Sequence, residues 1–483
     1  MNSRLACIAV SLVLAASASA AQGIVSQGAF RIGADAMWAR GIDGTGQTVA
    51  VLDLGFGGLD ASLAQGELGS ADQIETHSFD AQYGLDGRDD LGAPTQHGVR
   101  MAEIIHDVAP GAHLVLVNYH TDDEFLQAVR WITANGIPIV SHSNSNLGGP
   151  YDGTGVLARA VDAAAAEGVL WVNSAGNFGL RHWRTIADAA GVVVPISPQP
   201  NDTIAFGIGW TGTGIAASVA VERQEADGSW VEVTRSGADR RTVPIGIDGG
   251  AWRLLVRQDA GPQVPLDVFS RTIGFGPAAV PTSSIATPGD AAGSLTVGAV
   301  SWSSDTVPGY SSRGPTEDGR MKPEIMGPTY VTANPSFPGM AGTSAATPHV
   351  AGAAALLRQD RAASGLPVDP ASLRAELLAR ARDLGAPGPD AETGYGMVRV
   401  DVTPPSVRLA VGPGSRPRAT VRATDDGTMA RVSILLDGRV VGRSPGPFAR
   451  VRLPTVRPGR HRIQVRAQDV PGNVRTITRW IRR

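Results

Sequence analysis

Unbroken apolar runs, separated by stretches of helical period, make up most of the chain. "TVAVLDLGFGG" at residues 48–58 is apolar until it ends in Asp and Gly, as a strand buried on both faces of a parallel sheet would be. "HLVLV" (113–117) and "IPIVS" (137–141) repeat that pattern. Between them, "DDEFLQAVRWITANG" keeps Phe125, Val129 and Ile132 on one helical face, with Gly136 placed to close the helix. The rhythm continues with a helix over 156–167 stopped at Gly168, and with runs at 169–174 and 295–300. It ends with "PASLRAELLARARDL", where Pro370 takes the first helical position after Asp369, and "GYGMVRVD". Strands alternating with helices predict an α/β fold: an open, mostly parallel sheet with helices on both faces. Active residues should then lie where strands end and loops begin.

Three regions depart from this rhythm. At 192–284, "ASVAVERQ", "WVEVTR" and "WRLLVRQ" alternate with period two around an Asp227-Gly228 turn, which predicts an inserted β-rich domain. "TPP" at 403–405 is a stiff linker, and the short alternating strands beyond it predict a C-terminal β-sandwich over 403–483. Residues 1–20 carry Arg4, an apolar run and Ala18-Ser19-Ala20, the pattern of an export signal. The α/β body thus occupies 21–191 and 285–402. The one cysteine, Cys7, lies in the signal, so the exported chain has neither a disulfide nor a cysteine nucleophile. No other apolar stretch is long enough to span a bilayer.

With 483 residues, 42% of them hydrophobic and 18% charged, the chain is globular and long enough for two to four domains. The net charge of −3 conceals an asymmetry. Residues 403–483 hold 17 Arg and 4 Asp, a charge of +13, which leaves −16 on the remainder. In "RIQVRAQ", Ile463, Val465 and Ala467 should face inward and Arg462 and Arg466 outward. That surface suits anionic cell-envelope polymer or the protein's own acidic body, with plain solubility as the alternative.

"PGMAGTSAATPHVAGAAALL" (338–357) reads as a buried helix for which Thr343 or Ser344 is a good N-cap. A reactive serine would further need a base, a group to orient the base, and oxyanion donors. Asp53 ends the first buried run, His97 opens a helical pattern through Met101, Ile104 and Ile105, and Asn177 closes "WVNSAGN" after another run. Each alone has a plain structural role: a turn aspartate, a helix-start histidine, a left-handed turn residue. Together they supply carboxylate, imidazole, amide and hydroxyl in the order Asp, His, Asn, Ser.

With "VAVLDLG", "HGVRMAEIIHDVAPGA", "SNLGGP", "SAGN", "YSSRGPTEDGRMKPEI" and "GTSAATPHVAG", the chain resembles subtilisin-like serine proteases of the S8 type over residues 28–401, apart from the insert. The resemblance implies a secreted endopeptidase with Ser344 as nucleophile, His97 as general base and acid, Asp53 as the carboxylate that orients it, and Asn177 as oxyanion donor. It also implies that Asn146, Leu147 and Gly148 pair with an extended substrate, and that Ser174, Ala175 and Gly176 form the facing wall of the specificity pocket. Both stretches are small or apolar, so an uncharged side chain before the scissile bond is expected. The chain departs from the family pattern at Val99 and Arg100, where Thr and His are usual, and at Glu103, where glycine is common. His142 and Asn144, near the cleft strand, receive no role.

No cofactor or catalytic metal is implied; structural calcium is compatible, although the acidic pair Asp89-Asp90 is better read as a solvated turn. The partner is a protein or peptide substrate, with no nucleic acid and no membrane span. About 27 residues separate Ala21 from the strand at Thr48, too few for a folded inhibitory prodomain, so no prodomain cleavage is expected. A sedolisin-like acid peptidase shares the Gly-Thr-Ser motif but uses Glu and Asp in place of the histidine. A secreted binding protein on an inactive protease scaffold is the non-enzymatic alternative. The bacterial immunoglobulin-like resemblance of 403–483 rests on "TPP" and "AQDVPGN" and identifies no ligand.

Overall fold

A computed structural model describes residues 23–482 except Asp90, Asp248 and Ser415; the export signal, Cys7 and half of the Asp89-Asp90 pair lie outside the described residues. The body is built on seven strands: β1 (Thr48–Asp53), β2 (Ile74–Ser78), β3 (His113–Asn118), β4 (Ile139–His142), β5 (Leu170–Ser174), β6 (Ser294–Ser301) and β7 (Ile325–Thr329). They lie in the order β7-β6-β5-β4-β1-β3-β2, and every pairing is parallel. The strand order therefore reverses around β1, which runs between β3 and β4. Its carboxyl end is the crevice where open α/β sheets gather their chemistry. β2 and β7 carry no apolar-run signal: "IETHS" is a polar edge and "IMGPT" contains Gly and Pro.

Unbroken apolar runs arise because successive residues of a strand serve two cores. Val49, Val51, Leu114 and Leu116 face one side, against helices α1 (His97–Val108) and α4 (Thr343–Ala363). Ala50, Leu52, Val115 and Val117 face the other, against α2 (Asp122–Ala134) and α3 (Val156–Ala166). Helix α5 (Pro370–Arg380) starts as its sequence indicates, with the Asp369 carboxylate accepting from Ser372 N at 3.0 Å. The leading segment belongs to the same body. Ile32 and Met37 are fully buried, and Ser26 N donates to Asp107 Oδ2 at 2.9 Å.

The insert is an antiparallel module of two main sheets and a two-stranded ribbon of Thr203–Ile204 with Ile245–Gly246. Trp230–Arg235, Ala216–Gln224, Trp252–Ala260 and Val192–Ile196 form one sheet; His182–Thr185, Leu266–Ser270 and Phe206–Gly209 form the other. Phe206, Val219, Leu254 and Val268 share their core. The module begins at His182, ahead of the expected 192, because "HWRT" is too short and polar to show an alternation. The C-terminal region is a second sandwich, of three and four strands, around Val421, Ile434, Ile463 and Val465. Arg462 and Arg466 point outward as expected. Among the described residues no helix is long and apolar enough to cross a membrane.

Candidate active site

Asp53, the last residue of β1, is fully buried, and Leu54 N donates to its Oδ1 at 2.8 Å. Its Oδ2 lies 2.7 Å from Nδ1 of His97, the first residue of α1. A carboxylate only accepts, so Nδ1 carries the hydrogen and Nε2 is left with the basic lone pair. His97 keeps a third of its side chain exposed, as a group that must meet a substrate requires.

Ser344 is the second residue of α4. Gly342, before the helix, has φ 111° and ψ 160°, a backbone open only to glycine. Pro348 lacks the N–H that would bond Ser344 O four residues back. Ser143 Oγ takes that place, donating to Ser344 O at 3.1 Å, while Ser344 Oγ donates to Ser143 O at 3.1 Å. Asn177 faces the same helix start: its Oδ1 accepts from Thr343 N at 2.9 Å and from Thr343 Oγ1 at 3.1 Å. With the oxygen so held, the amide NH₂ is directed away from Thr343. The helix N-terminus adds a field that favours negative charge nearby.

His97, Asn177 and Ser344 line one cavity of about 150 Å³. Ser174 and Gly176 line it too; Ala175 is buried, with its N–H on Val297 O. Asn146, Leu147 and Gly148 are not part of this lining, and the wall is formed by residues 143–145 instead. Asn146 is bridged to Thr287, and Leu147 packs with Tyr151, Phe178 and Phe269 against the inserted module. Asn144 lines the cavity with a buried Nδ2 that has no partner. Arg181 and Arg271 also line it, which removes the expectation of a wholly small and apolar pocket. Arg181, four residues beyond Asn177, was open to suspicion from the sequence. Arg271 had no local signal, because the module brings it back from far along the chain.

The departures from the family pattern have structural partners. Val99 joins the core, and Arg100 lies over the Phe337 ring at 3.3 Å. Glu103 is buried, and its Oε1 accepts from Ser62 Oγ at 2.7 Å and Asn334 Nδ2 at 2.9 Å, tying α1 to the loop before α4. Burial holds its carboxyl above the usual range. His142 is buried behind the site. Its Nδ1 donates to Asn173 Oδ1 at 2.7 Å, and its Nε2 accepts from Tyr119 OH at 2.8 Å. Burial pushes this imidazole down to about 4. Asp89 Oδ1 accepts from Leu91 N and Ala93 N, the pattern of a turn.

The subtilase family model matches residues 44–231 and 262–396. Over 387 residues the chain is 25% identical to the minor extracellular protease Vpr of Bacillus subtilis strain 168, covering 68% of this chain and 47% of that protein. It is 28% identical over 154 residues to subtilisin DY of Bacillus licheniformis, covering 31% and 53% respectively. Pyrolysin of Pyrococcus furiosus is 36% identical over 103 residues, 19% of this chain and 7% of that protein. The chain thus spans about half the length of the first two relatives. Among solved structures, the Clostridium perfringens CspB protease shares the fold, with a TM-score of 0.54 and 17% identity over 75% of this chain and 94% of that one.

Proposed function

We propose that this chain, which belongs to the subtilase family, is a secreted serine endopeptidase working through an Asp53-His97-Ser344 triad. The observation that carries the reading is the 2.7 Å contact of Asp53 with His97, on a cavity that His97 shares with Asn177 and Ser344. His97 Nε2 takes the hydroxyl proton as Ser344 Oγ adds to the peptide carbonyl carbon. Asp53 stabilises the imidazolium so formed. The oxyanion receives the Ser344 backbone N–H and the Asn177 amide, both fixed before the substrate arrives. When the tetrahedral adduct collapses, the C–N bond breaks and His97 returns the proton to the leaving amine. Water, deprotonated by the same imidazole, then releases the acyl group from Ser344.

A fluorophosphonate probe should label the purified protein at Ser344 and abolish its hydrolysis of unfolded protein, and Ser344→Ala should remove both. Undiminished hydrolysis by Ser344→Ala would refute the assignment. The basic C-terminal sandwich is, on this reading, an attachment module for anionic envelope polymer. Its binding to isolated envelopes should fall as salt rises, since the Debye length shrinks to roughly 3 Å at 1 M. Salt-insensitive or absent binding would leave it a spacer.

A further inference from the structure

Ser344 and Asn177 fix where the scissile carbonyl must sit, so the residue supplying that carbonyl extends its side chain into the cavity they line. Its walls come from residues 143–145 and from Ser174, Gly176 and Asn177, and Arg181 and Arg271 line it as well. Arg181 Nη1 donates to Arg271 O at 2.9 Å, and Arg271 Nη2 donates to Ser145 O at 3.0 Å, so Arg181 is anchored to the Arg271 segment and Arg271 to the wall. Among the described residues Arg181 makes no ion pair. Burial and the neighbouring Arg271 guanidinium both push the Arg181 pKa down. Asn144 adds a buried amide Nδ2 with no partner.

The Arg181 guanidinium, which makes no ion pair among the described residues, and the unsatisfied Asn144 amide thus put hydrogen-bond donors without acceptors on one small cavity that Arg271 also lines. We propose that it takes a carboxylate, so that the enzyme cleaves after glutamate or aspartate. Arg181 is the main determinant and Arg271 its support. The guanidinium fork matches carboxylate geometry with two parallel hydrogen bonds, and a neutral side chain would leave those donors desolvated and unpaired. The inference rests on the peptidase reading above and names its substrate class.

The test uses the full chain and N-acetyl tetrapeptide anilides that differ only in the residue before the anilide: Glu, Asp, Gln, Leu, Phe or Lys. The anilide blocks the terminal carboxylate, so only a side-chain carboxylate can produce a preference; cleavage confined to peptides with a free terminal carboxylate would overturn the proposal. The Glu substrate should exceed Gln in kcat/KM by roughly 100-fold, the scale of a charged hydrogen bond gained or lost, and salt should reduce the ratio. Arg181→Gln should bring the Glu:Gln ratio to within a few-fold of one, and Arg271→Gln should lower it. Fluorophosphonate labelling of each variant separates lost specificity from lost fold. A labelled wild-type enzyme that cleaves after Leu, Phe or Gln as fast as after Glu overturns the pocket assignment and leaves the peptidase reading standing. Absence of labelling overturns both.

A separate observation concerns the seam between the body and the C-terminal sandwich. Asp401, Asp425 and Asp469 each offer a carboxylate oxygen, and these oxygens lie within 4.8 Å of one another. Asp401 Oδ1 accepts from Thr403 N and its Oδ2 from Asn473 Nδ2 at 3.2 Å, Asp425 Oδ1 accepts from Gly427 N, and Asp469 Oδ1 accepts from Gly472 N and Asn473 N. Asp469 is fully buried and its Oδ2 has no partner, and none of the three makes an ion pair among the described residues. Oxygens around calcium, each roughly 2.3–2.6 Å from the ion, lie up to about 5 Å apart. The geometry assigns this cluster as a calcium site joining the two units. Calcium added to the EDTA-treated full chain should give a saturable calorimetric signal and raise Tm, and Asp469→Asn or Asp425→Asn should remove both effects. No calcium response from the wild type, or a response retained by both variants, overturns the assignment.

Discussion

Asn177 shows how one side chain can be held for two purposes. Its oxygen is fixed by Thr343, and only that restraint leaves the amide hydrogens directed toward an oxyanion. Asn177→Ala should lower kcat by about 10² to 10³ with little change in KM, the usual loss for one preorganised donor, and steady-state kinetics on a single anilide would measure it. His142 acts on stability. Because its folded pKa of about 4 lies below the ordinary 6.5, the neutral form is favoured in the fold. His349, buried with Nδ1 on Ala345 O and likewise depressed to about 4, behaves the same way. Their contribution is complete above pH 6.5 and is lost as the pH falls from there through 4. Tm should therefore drop between pH 7 and 4.5, and His142→Gln should flatten part of that slope. An unchanged slope in the variant would remove His142 from the account. Arg181 belongs to the same scale, since a single charged side chain decides which peptides fit.

Helix α4 shows what an element contributes beyond its residues. Its start combines a glycine-only conformation at Gly342 with a proline one turn in, and together they leave Ser344 O to bond Ser143 instead of the helix. Gly342→Ala would force a side chain into a positive-φ backbone 3.2 Å from the Asn177 amide nitrogen. Fluorophosphonate labelling should fall at least as far as in Asn177→Ala. By contrast Asp369→Ala, which removes the cap of α5, should cost about 1 kcal/mol in denaturant unfolding and leave labelling intact. The central strands β1, β3, β4, β5 and β6 were legible because residues serving two cores must be apolar without a break. The edges β2 and β7 were not, since a polar edge and a Gly-Pro strand carry no such signature. The placement of Asp53, His97, Asn177 and Ser344 near one another could be read from the sequence because each sits at the end of a readable element. The wall at 143–145 was not, because the motif at 146–148 matches the family in sequence while Leu147 packs with Phe269 of the module and lies outside the cavity lining.

At the scale of the whole molecule, the inserted module shapes the site as well as covering the sheet: Phe269 packs on Leu147 and Phe178, and two residues further on Arg271 reaches the cavity. A chain with residues 182–275 replaced by a short loop should therefore lose any preference among the anilides, even where the probe still labels Ser344. The same arrangement governs when activity can appear. Helix α4 is buried from Ala345 to Leu357 between the sheet and α1, so it is the central pillar of the body as well as the bearer of the proposed nucleophile, Ser344. About 290 residues separate Asp53 from Ser344, and at 5–20 residues per second a ribosome needs roughly 15 to 60 s to cross that interval. For most of that time the emerging chain already contains Asp53 and His97 but lacks Ser344 and the helix that completes the core. On the proposed mechanism, the four site residues can therefore come together only once this last large piece of the interior has been synthesised and has slid into place.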